Sequence, residues 1–335
     1  MNAPTELDPI QAHVVFEWKH ERPLNACRID PQGRFVFGGS EDAVVSRFQF
    51  ADGAKTNLTG GHSTWVRSLA FTKDGTHAVS GACDGKITWW ETTAESPTPV
   101  RSIDAHKGWV RSMDASADGT LIASGGNDNI VRVWNAADGS LVHELTGHQG
   151  HIYSVAFHPL GEFLLTGDLM GVVKQWELAT GKEVRTFDAG PLHSYNGGQG
   201  VDYGGVRALS VSPDGKWLAA GGLHEATNPF AGVNKAIVLV FDWETQEVKQ
   251  KHTADSVERG IVWRIRWLAD GSFVGAISGT EGALVFWKQE EANFYHKLKL
   301  PSNARDMDLH PDGLQVATAH HDGHVRITRL TAKST

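Results

Sequence analysis

The sequence predicts an all-β fold: a seven-bladed β-propeller of four-stranded antiparallel blades, closed by an N-terminal strand that completes the last blade. Three observations carry this expectation. A signature of His62, Ser80, Asp84 and Trp90 returns 44 residues later as His106, Ser124, Asp128 and Trp134, with identical internal offsets of 18, 4 and 6. The Trp position continues as Phe48, Trp90, Trp134, Trp176, Phe241, Trp287 and Thr328, in steps of 42, 44, 42, 65, 46 and 41 residues. A period in the low forties with strand-like text inside each unit indicates one propeller blade per repeat. A turn pair counts the same units independently: Gln32-Gly33, Asp74-Gly75, Asp118-Gly119, Leu160-Gly161, Asp214-Gly215, Asp270-Gly271 and Asp312-Gly313. Glycine there supplies the positive φ that a two-residue hairpin demands.

In chain order, residues 1–11 form a polar tail, and 12–330 form the ring. The run His13 to Trp18 reads as a strand with no blade of its own. Little chain follows Thr328, so the last repeat has three strands, and the N-terminal run is expected to supply the fourth. Such closure removes the exposed sheet edges that invite aggregation. Blade one holds a weaker copy of the signature in His20, Asp42 and Phe48. In blades two and three, Val66, Leu69 and Phe71, and then Val110 and Met113, alternate as innermost strands. Ile130 to Trp134 and Ala236 to Phe241 read as third strands of their blades. Blade four has His148, Thr166 and Trp176 but places Met170 where the Asp should stand, which predicts an incomplete set. Blade six has Glu281 at that position and no Ser, and blade seven ends on Thr328. Residues 331–335 are a C-terminal tail.

Composition narrows the function. Thirty-seven Gly and twelve Trp suit short strands, tight turns and large apolar wedges between blades. A net charge of −8 argues against a general nucleic-acid binder, which is normally basic. No apolar run approaches a membrane span, and Met1 to Ile10 carries no secretory pattern. Cys27 and Cys83 fall at non-equivalent positions of different blades, so no disulfide is expected and a cytoplasmic location fits. There is no paired-Cys zinc spacing and no phosphate loop; His148 and His151 would need a third ligand, and His320-His321 lie on another blade. No cofactor and no metal are expected.

The text Gly61-His62, Ser80-Gly81-Ala82-Cys83-Asp84 and Trp90-Glu91 resembles the WD-repeat family of β-propellers, over roughly residues 12 to 330. The resemblance implies that His, Ser, Asp and Trp of a blade form a buried hydrogen-bond network, in which Asp accepts from His, the Ser hydroxyl holds His, and the indole N–H closes on Ser. Ser80, His62 and Asp84 also supply the residue types of a catalytic triad. A set repeated intact in the next blade is architecture, since a nucleophile needs a singular exposed geometry.

The long step of 65 residues adds 23 to the usual period, as 12 residues before blade five's first strand and 11 between its second and third. The inserts fall at about 191–205, including Tyr195, and 223–235. In an ordinary blade the His before the first strand meets the Asp between the second and third. Both inserts therefore rise from the same face of one blade, beside the channel. Leu169 and Met170, apolar at a normally polar turn, are expected to pack beneath Tyr195.

At the mouth on that face, the first-strand positions are Asn25, Arg67, Arg111, Tyr153, Arg207, Trp263 and Arg305, with Trp65 and Trp109 two residues ahead of two of them. Arginines interleaved with aromatics suit recognition of an acidic or phosphorylated segment, because guanidinium offers forked donors and stacks on rings. The chain is expected to be a non-enzymatic scaffold binding a protein or peptide partner here, with neither nucleic acid nor membrane involved. The alternative is a hydrolase or lactonase-like propeller working at the channel mouth. Such enzymes gather carboxylates or metal ligands there, and this mouth reads arginine and aromatic.

Overall fold

Seven four-stranded antiparallel sheets stand around one axis in a computed structural model that describes residues 6–226 and 234–333. Blade two shows the pattern: Val66–Phe71 lies innermost, followed outward by His77–Ala82, Lys86–Glu91 and Pro99–Asp104. The N-terminal strand His13–Lys19 pairs antiparallel with His324–Arg329 and forms the outer edge of blade seven.

The turn glycines adopt the left-handed region at all seven positions, from φ 65° at Gly75 to 82° at Gly161 and Gly271. The connection is longer than the two-residue hairpin expected. The Gly75 N–H donates to the Thr72 carbonyl at 2.9 Å and the Thr72 N–H to the His77 carbonyl at 3.0 Å, which leaves a loop of residues 73–76. Asp74 closes it by accepting from the Thr76 N–H at 3.0 Å and the Thr72 hydroxyl at 2.7 Å. An Asx turn of this kind explains why Asp precedes Gly in five of the seven repeats.

There is no single core. Seven apolar clusters each bridge one pair of neighbouring blades, including the pair formed by blades seven and one. Trp90 of blade two sits with Phe37 and Leu58 of blade one, and Trp134 of blade three with Ile87 and Trp89 of blade two. Each indole is thus a wedge between blades, where a large flat side chain buries the most area at low entropic cost.

The channel wall is stitched separately. Innermost-strand side chains accept main-chain N–H groups of the next blade: Ser112 from Val155 at 3.2 Å, Asp114 from Phe157 at 2.8 Å, Asp306 from Cys27 at 3.0 Å and Asp308 from Ile29 at 3.0 Å. The last two join blade seven to blade one. Cys27 and Cys83 are free thiols.

Two buried histidines make the ring sensitive to acid. His252 Nδ1 donates to the Glu291 carbonyl at 2.9 Å, while Nε2 is buried without a partner among the described residues and the ring stands edge-on to Phe273 at 4.9 Å. His320 Nδ1 donates to the Ser302 carbonyl at 2.9 Å, and Nε2 accepts from the Thr318 hydroxyl at 2.7 Å. Burial lowers both imidazoles to about 4. An unfolded histidine titrates near 6.5, so between these values the unfolded chain binds more protons. Stability is therefore expected to be full above about pH 6.5 and to fall as pH drops toward about 4. Urea midpoints measured across that window should show the slope, and His252→Leu should reduce it; an unaltered slope would remove His252 as a cause.

Candidate partner-binding site at the channel mouth

The site begins with a backbone irregularity. In six blades the first strand skips one residue of its register with the second strand: between Leu24 and Ala26, Val66 and Ser68, Val110 and Ser112, Ile152 and Ser154, Val262 and Arg264, and Ala304 and Asp306. The skipped residues are Asn25, Arg67, Arg111, Tyr153, Trp263 and Arg305. A β-bulge leaves its extra residue unpaired and re-aims its side chain. In blade five Arg207 donates its N–H to the Gly221 carbonyl at 2.9 Å, just ahead of the strand Ala208–Val211. All seven side chains line one cavity at the channel mouth, with Ser112, Arg264 and Asp306 below them.

Within the cavity, guanidinium and aromatic groups alternate. Arg67 lies over the Trp109 ring at 5.6 Å, and Arg111 over Trp109 at 5.0 Å and Tyr153 at 4.4 Å. Arg207 covers the other neighbours, Tyr153 at 4.4 Å and Trp263 at 5.2 Å. These separations are within cation–π range. Burial, with the neighbouring positive charges adding to it, pulls Arg111 down to about 10 and lowers Arg67 and Arg207. Burial also lifts the Cys83 thiol beside them to about 11, against the pull of Arg67 and Arg111.

The arginines are not equivalent. Arg305 is neutralised: its Nη1 donates to Glu41 at 2.6 Å and to Asn25 at 2.7 Å. Arg67, Arg111 and Arg207 have no carboxylate partner among the described residues. Arg111 bonds the Asn127 amide oxygen, and Arg207 Nε donates to the Gly204 carbonyl at 2.9 Å. Arg67 Nε is buried with no partner among the described residues. Trp65 and Trp109 flank the mouth at 42% and 37% exposure.

Sequence reasoning missed the layer beneath. Arg28, Arg264 and Asp306 form a buried ion cluster, with Asp306 bonded to Arg28 Nη1 and Arg264 Nε at 2.7 Å each. Arg266 pairs with Asp308 at 2.8 Å. These residues lie one or three positions after the mouth residues, and that period of two along the innermost strand was a usable signal.

The first blade-five insert is a hairpin of His193–Asn196 and Val201–Gly204. It is held at its base and not at Tyr195, which is 61% exposed and lies outside the mouth cavity. The anchor is Leu192, fully buried in the cluster between blades four and five. Gly205, at φ 84°, comes so close to blade four that a Cβ would stand 2.7 Å from Leu169 Cα and 2.9 Å from the Tyr153 ring. The second insert lengthens strands Trp217–His224 and Lys235–Asp242; residues 227–233 of the expected 223–235 lie outside the described residues. The inserts meet where the Tyr203 hydroxyl donates to the Ala226 carbonyl at 2.5 Å.

The repeated signature forms chains of hydrogen bonds away from the mouth. In blade three, Trp134 Nε1 donates to Ser124 Oγ at 2.8 Å, Ser124 bonds His106 Nε2 at 2.8 Å, and His106 Nδ1 bonds Asp128 at 2.9 Å. Blade two shares the Trp90–Ser80 bond at 2.8 Å and the Ser80–His62 bond at 2.7 Å, but His62 Nδ1 stands 3.4 Å from Asp84. Blade four corrects the expectation from Met170. Asp168, two residues earlier, meets His148 Nδ1 at 2.7 Å, and Thr166 links His148 to Trp176 at 2.7 and 2.8 Å. Asp168 also accepts from the Met170 and Val172 N–H groups at 2.9 and 3.0 Å, so the turn itself brings the carboxylate under the imidazole. His151 bonds Asn129 at 3.1 Å, separate from His148. Among the described residues, no group of three or more His, Cys, Asp or Glu side chains is placed to hold a metal ion, and no helix is long and apolar enough to cross a membrane.

Comparison with known proteins gives the same picture of the chain. The model of the "WD domain, G-beta repeat" family matches residues 54–91, 97–135, 139–177, 190–224 and 294–328. Over 84 residues the chain is 36% identical to telomerase protein component 1 of Rattus norvegicus, which covers 25% of the chain and 3% of that protein. Over 162 residues it is 28% identical to small ribosomal subunit protein RACK1y of Oryza sativa subsp. japonica, covering 47% of the chain and 40% of the relative. The crystal structure of the WD40 β-propeller domain of Doa1 superposes with a TM-score of 0.76 over 95% of this chain and 96% of that one, at 20% identity, a likeness of fold.

Proposed function

This chain belongs to the WD domain, G-beta repeat family, and from that premise we propose that it is a non-enzymatic platform binding an acidic or phosphorylated segment of a partner protein at the channel mouth beside the blade-five hairpin. The observation that carries this reading is the convergence of seven side chains from or just ahead of the first strands, six of them re-aimed by a bulge and three of them arginines with no carboxylate partner among the described residues. Trp65, Trp109, Tyr153 and Trp263 supply flat apolar surface beside that charge, a composition typical of interface anchors. Tyr195 on the hairpin offers a further contact outside the cavity. The rice relative is by its name a component of a ribosomal subunit, which suits a family role in assemblies. The enzyme alternative has no support from the cavity wall, whose one carboxylate, Asp306, is committed to Arg28 and Arg264.

The experiment is partner capture with the intact chain. Arg67→Glu combined with Arg111→Glu is expected to remove the partner, and Trp263→Ala to weaken it by about 1–2 kcal/mol, or about 5–30-fold, through lost stacking. Capture by the native chain should also decline as salt rises, since exposed charges on the incoming segment are screened over about 8–10 Å at physiological ionic strength. Both arginines are partly buried, so Arg67→Gln with Arg111→Gln serves as the gentler pair, and melting temperatures report whether the ring is intact. Recovery of the same partners in the same amounts by folded variants would remove the mouth as the binding face.

A further inference from the structure

We infer that the mouth cavity is built for one phosphate monoester dianion, supplied by a phosphorylated serine or threonine side chain of the partner; this rests on the reading of the mouth as the partner face. Its unmet hydrogen-bonding capacity is donor-only. Arg67 Nε and Asn25 Nδ2 are both buried and without partners among the described residues, while Asn25 Oδ1 is already taken by Arg305. Asp306, the carboxylate on the wall, has Oδ2 bonded to Arg28 and the Cys27 N–H and Oδ1 bonded to Arg264. A ligand that satisfies this wall must accept hydrogen bonds and carry negative charge.

Charge decides between a carboxylate and a phosphate. Arg67, Arg111 and Arg207 lie close enough to repel one another, and none has a carboxylate partner among the described residues. One carboxylate would leave about two positive charges uncompensated. A phosphate monoester carries about −1.5 to −2 at pH 7 and presents three strong acceptor oxygens. Geometry agrees. Rings of Trp109, Tyr153 and Trp263 lie within 4.4–5.6 Å of these guanidinium carbons, and among the described residues only the Nε groups of Arg111 and Arg207 are hydrogen-bonded, which leaves the other N–H groups for a ligand. Guanidinium donors in this number suit the forked acceptance that phosphate offers. The cavity volume is about 50 Å³. With about 10–15 Å³ needed for one water, that is room for a few oxygens, and an adjoining volume of about 190 Å³ lined by Asn25, Trp65, Arg67, Trp263 and Arg305 has room for the side chain that carries them.

The test uses the full chain at constant ionic strength and follows tryptophan fluorescence and melting temperature. N-acetyl-O-phosphoserine methylamide, inorganic phosphate and N-acetylglutamate methylamide are titrated separately. The phosphoserine compound is expected to saturate, with a Kd at least tenfold below that of the glutamate compound. Arg207→Lys, which keeps the charge and loses the fork, should raise that Kd about tenfold, and Arg34→Gln, remote from the cavity, should not. Equal affinity for phosphoserine and glutamate would overturn the assignment, as would the absence of any saturable response. Binding of inorganic phosphate without the monoester would overturn the side-chain source and leave a free-anion site. If the Arg67→Glu, Arg111→Glu variant loses its partner while glutamate matches phosphoserine, the face stands and the phosphate assignment falls. If phosphoserine binds selectively while capture is unaffected, the pocket stands and the partner face falls.

Discussion

Asp168→Ala is expected to lower stability by about 3–5 kcal/mol, while Met170→Ala, two residues on, costs less than about 1 kcal/mol. The contrast comes from what each side chain holds. Asp168 is 1% exposed and receives three donors: His148 Nδ1 at 2.7 Å and the N–H groups of Met170 and Val172 at 2.9 and 3.0 Å. Removing the carboxylate leaves the buried His148 N–H and two partly buried main-chain N–H groups without their acceptor, and a buried unsatisfied donor costs about 1–3 kcal/mol. Met170 is half-buried at the turn and contributes its main chain to that network, which alanine keeps. Trp176→Ala and Trp134→Ala should each cost about 3–5 kcal/mol through the cavity opened between blades and the freed hydroxyl of Thr166 or Ser124. The two tryptophan changes should agree within about 1 kcal/mol, because both blades hold a complete network. Urea midpoints decide the matter. A small Asp168 effect, with Trp176→Ala cheaper than Trp134→Ala, would return the missing-carboxylate reading of blade four.

Asp306→Ala should be as damaging, at about 3–5 kcal/mol, and should act on the seam of the ring. Burial opposes ionisation of this carboxyl, yet Arg264 and Arg28 hold it down to about 2. Its loss leaves two buried guanidiniums facing each other and the Cys27 N–H without an acceptor. Those groups belong to blades six and one and meet through Asp306 of blade seven, so the damage should weaken closure between blades seven and one. The cause can be separated from simple loss of packing. Replacing the cluster together, as Arg28→Met, Asp306→Leu and Arg264→Met, should recover most of the lost stability, since a buried ion cluster is often matched by apolar groups of similar volume. Chemical unfolding of the single and triple variants gives the comparison. A triple variant no more stable than the single one would assign the penalty to shape and not to unpaired charge.

Several features of the candidate site were readable from residue order. The seven mouth positions follow from aligning each first strand on the repeat, and Arg67, Arg111, Tyr153, Arg207 and Trp263 do line one cavity. What alignment could not supply was the state of each charge. Arg305 has the same place in its repeat as Arg67, yet Glu41 of the neighbouring blade neutralises it across 264 residues of chain. Arg67 has no such neighbour, because a carboxylate has to arrive from another blade and none does among the described residues.

The sequence by itself determined the blade count, the order of strands and the inter-blade wedges, because each rests on spacing within one repeat. His62 to Trp90 and His106 to Trp134 must fold alike when their offsets agree, and the turn glycines mark the ends of short strands. Tertiary structure alone decided three things. The bulge in six first strands aims the mouth residues, and a bulge depends on pairing with the second strand and not on the residue that is skipped. Asp168 replaces the absent turn carboxylate because the network requires only an acceptor at His148 Nδ1, from whatever position the turn brings there. The hairpin hangs from Leu192 and Gly205, not from Tyr195, because burial of an apolar side chain between blades outweighs a contact at an exposed tip. Spacing specifies what a repeat contains, and contact between distant repeats specifies which of its groups remain free to bind.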